Sequence, residues 1–202
     1  MTESSDMSKY KPGSLFDEPP VGVFHDQMAC VGTNGGPYQF DDFAHGYFEA
    51  ARRISASLVE DVGFIDILVY PIAFLYRQGL ELAIKHLIYF LSPHYGAGSS
   101  PVLNHGIINN WKILRPLIES HATIHPHREL ARKQLDGIEA IVTDFDKFDP
   151  KSFVFRYPED KSGGVYIKDH MRIDVALLIQ ELTLVINWFE NVVTGTREDL
   201  IA

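Results

Sequence analysis

The chain has 202 residues, 46% of them apolar and 22% charged, a globular composition with enough apolar surface for a sizeable core. Its single cysteine, Cys30, excludes an internal disulfide and a cysteine-based zinc site. The formal net charge of −9 argues against generic nucleic-acid binding, which depends on Lys and Arg neutralising phosphates, and leaves only a local basic groove open.

Residues 1–40 hold Pro12, Pro19, Pro20, Pro37 and several glycines, so an irregular N-terminal arm is expected there. Met1 to Ser14 is polar and lacks an apolar h-region, so no secretory signal is expected. With the lone thiol, this points to a reducing, cytoplasmic location. Gly32 to Gly36 lacks the Lys-Ser/Thr of a phosphate loop and reads as a turn.

Asp41 or Asp42 caps a first helix that runs to about Glu60 and is ended by Gly63. Phe43, Tyr47, Ala50, Ala51, Ile54 and Leu58 recur along it at helical spacing. A second helix spans about Ile65 to Leu91, with a kink or restart expected at Pro71 and a closing loop from Pro93 and Gly96–Ser100. Its length and hydropathy resemble a membrane span. Yet Arg77, Gln78, Glu81 and Lys85 fall near its middle, where each charge costs about 2.5–3.5 kcal/mol on insertion scales. It therefore reads as the core helix of a bundle, with no membrane partner.

A third helix begins near His105, with a break or bend expected late in it at Pro116, and a fourth spans about Pro126 to Phe148. Residues 149–172 read as irregular, with a short extended piece at Val165–Lys168. A fifth helix covers about Ile173 to Val193 and is stopped by Gly195, leaving a tail over 196–202. The prediction is an all-α, up-and-down bundle of about five helices over residues 41–195.

On the second helix Arg77, Gln78, Glu81 and Lys85 share an arc of about 100°. Arg77–Glu81 and Glu81–Lys85 are both i,i+4 steps, so the charges can pair along the helix. The surrounding apolar circumference places this stripe partly inside the bundle, where each charge needs a partner. The stripe reads as a solvated edge, as a structural ion-pair seam that sets helix register, or as a polar pocket.

The run Tyr70-Pro71-Ile72-Ala73-Phe74-Leu75-Tyr76-Arg77-Gln78-Gly79-Leu80-Glu81-Leu82-Ala83-Ile84-Lys85 resembles the second helix of HEPN-like bacterial proteins. His105 before an apolar helix with Trp111 fits that pattern. So does Phe155-Arg156-Tyr157-Pro158-Glu159-Asp160 before a glycine turn and a last helix. The resemblance covers about residues 41–193. It implies an all-α fold, often a homodimer, with an RNA or protein partner and roles in bacterial defence or stress. Many members resemble metal-independent endoribonucleases whose Arg is followed, after four to six residues, by a His. There the His moves a proton and the Arg steadies charge on the phosphate.

Arg77 and His86 are eight residues apart in the intervening count and do not match that spacing, whereas Arg115 and His121 have five between them. Pro116 follows Arg115 where a polar residue is usual, so the pair is a candidate only. Two readings follow: a HEPN-like binding or regulatory module without cofactor, and a metal-independent endoribonuclease using Arg115 and His121, or a site around Arg77, His105 and Arg156. In either, Arg77, Glu81, Lys85, His105, Arg156 and Asp160 form the expected polar cluster, with Glu81–Arg156 and Arg77–Asp160 as the expected pairs.

His121, His125 and His127 lie close together, but Pro126 breaks their helix and spacing shows no nearby carboxylate. They read as solvated histidines with no metal. Asp144, Asp146 and Asp149 lack the glycine and terminal glutamate of a calcium loop and read as a solvated acidic turn.

Overall fold

A computed structural model describes Ala29, Val31, Gly32 and residues 38–60, 62–96 and 103–201. The chain divides into residues 1–37 and 38–202, and the fold described is that of the second unit. Most of the expected arm, with Cys30 and most of the glycine turn, lies outside the described residues.

The second unit is an all-α, up-and-down bundle of five long helices, and no strand occurs among the described residues. Helix α1 is Phe40–Glu60 and α2 is Ile65–Tyr95. Then follow α3, Ile107–Ile124, the short α4, Glu129–Lys133, α5, Leu135–Phe148, and α6, Val175–Ile201. Asp42 accepts the Gln39 N–H at 2.7 Å, reaching back to satisfy a backbone donor at the start of α1. Asp174 does similar work for α6, accepting the Leu177 N–H at 2.9 Å.

Helix α2 packs against α1, α3 and α6. Ile72, Tyr76, Leu80, Ile84, Leu87, Ile88 and Leu91 have no appreciable exposure, so the apolar run seen in sequence is the middle of the core. Trp111 of α3 meets Trp188 of α6 at 6.1 Å between ring centroids. Each indole N–H is satisfied inside the bundle: Trp111 donates to Glu139 and Trp188 to the Ala131 carbonyl, both at 3.1 Å. By length and composition α2 and α6 could each cross a membrane, but both turn many of their side chains into this core.

Several expected ends are corrected. Helix α2 passes through Pro93 and ends at Tyr95, and α3 is unbroken at Pro116, where the Ser120 hydroxyl donates to the Pro116 carbonyl at 2.8 Å. The expected fourth helix is divided. A 3₁₀ turn at Pro126–Arg128 leads into α4, and the Gln134 N–H reaches back only three residues to Ala131 before α5 begins. The extended piece is a single antiparallel bridge, Glu159 to Val165.

Gly195 does not end α6, and the expected tail is helical to Ile201. A Cβ at Gly195 would collide with the guanidinium of Arg128, which lies across this turn and donates to the Gly195 carbonyl at 2.9 Å. The glycine makes room for a cross-chain contact. Arg197–Asp41 and Arg128–Asp199 pairs then tie the last turns of α6 to α1 and to the turn before α4.

Gly79 serves a similar purpose where α1 crosses α2, because a Cβ there would overlap the ring of buried Phe48. Overpacking costs about 1–3 kcal/mol, against at most about 1 kcal/mol gained from the better helix propensity of alanine. Gly79→Ala is therefore expected to lower the urea unfolding midpoint. An unchanged or higher midpoint would show that Phe48 yields and that the close approach is not required.

Candidate functional site

The stripe on α2 is a buried charge cluster. Arg77 is 0% exposed and lies 3.0 Å from Glu81, which is also buried. The Lys85 ammonium donates to Glu81 Oε1 at 2.7 Å, and His105 Nδ1 meets the same oxygen at 3.0 Å. Arg77 has two further acceptors. Its Nε donates to the Asp149 carbonyl at 3.1 Å and its Nη2 to the His105 carbonyl at 2.9 Å. One guanidinium thus joins α2, the C-terminal end of α5 and the segment before α3.

Burial pushes the Glu81 carboxyl up. The Lys85 ammonium, Arg77 and His105 more than offset this, so it stays below the ordinary glutamate range. The cluster reaches the surface at one end, where the His105 side chain is 85% exposed.

Arg77, Glu81, Lys85 and His105 therefore meet, whereas Arg156 and Asp160 do not join them. The Arg156 guanidinium lies over the Phe74 ring at 5.4 Å and over Tyr157 at 5.1 Å. Its segment reaches α2 near Tyr70 and Phe74, lining a cleft of about 340 Å³ with Pro158 and Tyr166. Asp160 is taken up by its own turn, accepting the Ser162 N–H at 2.7 Å and the Gly164 N–H at 2.9 Å. The two expected pairs fail because the acceptors of Glu81 and the donors of Arg77 are already engaged from nearer positions.

Arg115 and His121 sit on α3 about 120° apart around the axis, at 100° per residue. Arg115 is ringed by Glu119, Asp136 and Glu139. His121 faces Tyr95 Oη at 2.9 Å through Nδ1 and Asp199 Oδ2 at 3.1 Å through Nε2. The candidate pair thus has no partner in common.

Two other expectations change. His121 is buried rather than solvated, because α3 continues past it and turns it inward. Asp149 is buried too, not part of a solvated turn: its Oδ1 accepts the N–H groups of Phe153 and Val154 at 2.7 and 3.2 Å. This holds the turn that carries Ser152 in the left-handed region, at φ 61°.

A second polar cluster forms around Asp199, a residue that sequence reasoning assigned to the tail. Besides His121 it receives His127 Nε2 at 2.9 Å and Arg128 Nε at 2.8 Å. Arg128 holds its carboxyl well below the usual range. The sequence spacing of His121 and His127 was visible, but nothing local links either to a residue more than seventy positions away.

Protein-family models, curated proteins and solved structures yield no match to this chain.

Removing one partner of a buried pair strands the other charge, at about 3–5 kcal/mol. Glu81→Gln is expected to be that much less stable than wild type at pH 7. Because the Glu81 pKa is depressed on folding, its contribution is complete above the unfolded value near 4.5 and is lost as pH falls through the folded value. The gap between wild type and Glu81→Gln should therefore narrow as denaturation is repeated at progressively lower pH. A gap that stays constant would remove Glu81 ionisation from the account.

Proposed function

We propose that this chain is a HEPN-like helical module that acts by binding, with RNA or protein as partner. Its setting is the cytoplasm, in bacterial defence or stress. The HEPN-like assignment rests on the helix order and on the residue pattern from Tyr70 to Asp160. In its support, Arg77, Glu81, Lys85 and His105, four members of that pattern, come together in space.

One observation carries binding over catalysis: two of the three candidate arginines, Arg77 and Arg115, are neutralised, and the third, Arg156, stands apart from them over the Phe74 ring. Arg77 is enclosed by Glu81 and two carbonyls, and Arg115 by three carboxylates. To steady a phosphate, either would have to leave acceptors that hold the fold together.

A homodimer belongs to the same proposal. Among the described residues, Phe40, Phe43, Leu82, Tyr89 and Phe90 line an apolar cleft of about 650 Å³ on the α1–α2 face. Phe43 is 57% exposed there. Light scattering after size exclusion should give twice the chain mass for the wild type and the chain mass for Phe43→Asp. A monomeric wild type at assay concentrations would exclude the dimer.

The endoribonuclease reading keeps one supporting observation, the meeting of His121, His127 and Arg128 at Asp199. RNA incubated under chelator with wild type, His121→Ala, His105→Ala and Arg156→Ala separates the two. The binding reading expects no cleavage by any of them. Chelator-resistant cleavage by the wild type that disappears in a histidine variant would replace it with the nuclease.

A further inference from the structure

The corner where α3 ends and α6 closes the bundle gathers nitrogen and oxygen donors from positions far apart in sequence. One ligand atom each from His121, His125 and Asp199 lies within 4.8 Å of the other two. The His121 and His125 rings are one helical turn apart, with centroids at 4.6 Å. One of the three pairs, His121 Nε2 and Asp199 Oδ2, is 3.1 Å apart. Two atoms that share a tetrahedral ion at about 2.0–2.1 Å each lie a little over 3 Å apart.

One contact suits the geometry to a metal: Tyr95 Oη, 2.9 Å from His121 Nδ1, fixes the ring so that Nε2 faces the cluster. The cluster borders a cleft of about 380 Å³ whose walls include His121, His127, Arg128 and Trp188.

We propose that His121, His125 and Asp199 form a binding site for a divalent late first-row transition-metal ion, with zinc as its representative. Two imidazoles and one carboxylate, without thiolate, suit this class better than calcium or magnesium, which prefer all-oxygen shells. Three protein ligands leave a position for water or a further ligand.

Without metal, His121 Nε2–H donates to Asp199 and Nδ1 accepts from Tyr95 Oη–H. On loading, Nε2 turns its lone pair to the ion, the ring proton sits on Nδ1, and Tyr95 Oη accepts it. Arg128 shares Asp199 with the ion and opposes its charge, while Glu198, paired with Arg128 at 3.3 Å, offsets part of that opposition. His127 remains a hydrogen-bond partner of Asp199, 2.9 Å away.

The test uses the full chain without a histidine tag, stripped with chelator and titrated with zinc by calorimetry, and with cobalt followed by its visible absorption. The wild type should bind one ion per chain, with a tetrahedral-type cobalt spectrum and a melting temperature that rises with zinc. His125→Ala changes a half-buried side chain and should abolish the one-site isotherm and the zinc-dependent rise. His170→Ala, at an exposed histidine outside the cluster, should keep both. Tyr95→Phe removes only the partner of Nδ1 and should weaken binding roughly 10- to 100-fold. No one-site binding by the wild type, or binding that survives His125→Ala, would overturn the site.

Discussion

A guanidinium with no access to water stands at the centre of this bundle. Taking such a charge out of solvent is expensive, and the cost is tolerable only when its donors meet acceptors. Arg77 meets Glu81 on its own helix and the carbonyls of His105 and Asp149 on two other segments. The segment entering α3 and the turn leaving α5 are thereby held against α2. Apolar packing brings these helices together without direction; the guanidinium adds direction, because its planar N–H groups accept only one arrangement of the three segments.

Glu81 completes the arrangement by drawing Lys85 and His105 onto one oxygen. Two positive groups and a histidine therefore surround one buried carboxylate, with the histidine at the surface. The cluster is at once a structural seam and a surface feature, because the same Glu81 oxygen that closes the seam orients the exposed imidazole. That double character is why the stripe by itself does not separate a seam from a site.

The corner around Asp199 follows similar rules with different weights. Asp199 gathers Arg128, His121 and His127, and the absence of a side chain at Gly195 lets Arg128 cross α6 to reach it. The result pins the end of the last helix to α3 and the turn before α4. It also leaves imidazole nitrogens beside a carboxylate at the edge of a cleft, the donor set from which the proposed cation site is built.

Local periodicity was sufficient for the order of the helices, the central place of α2 and the i,i+4 pairing of Arg77, Glu81 and Lys85. Each of these depends on residues a few positions apart, whose geometry the helix itself dictates. The same logic misplaced the ends set by Pro93 and Gly195, where tertiary contacts outweighed local preference. It also matched Arg156 and Asp160 to the wrong partners, because charge type alone does not reveal which acceptors are already filled. Arg77 takes two backbone carbonyls, and a carbonyl has no signature in the sequence, since every residue carries one. Asp199 meets His121 across seventy-eight positions, a contact fixed only when α3 and α6 close on each other. The helices and their charged stripe were thus written in the sequence by itself, while the partners of those charges were decided by the tertiary structure, which alone determines which acceptors share a dry interior.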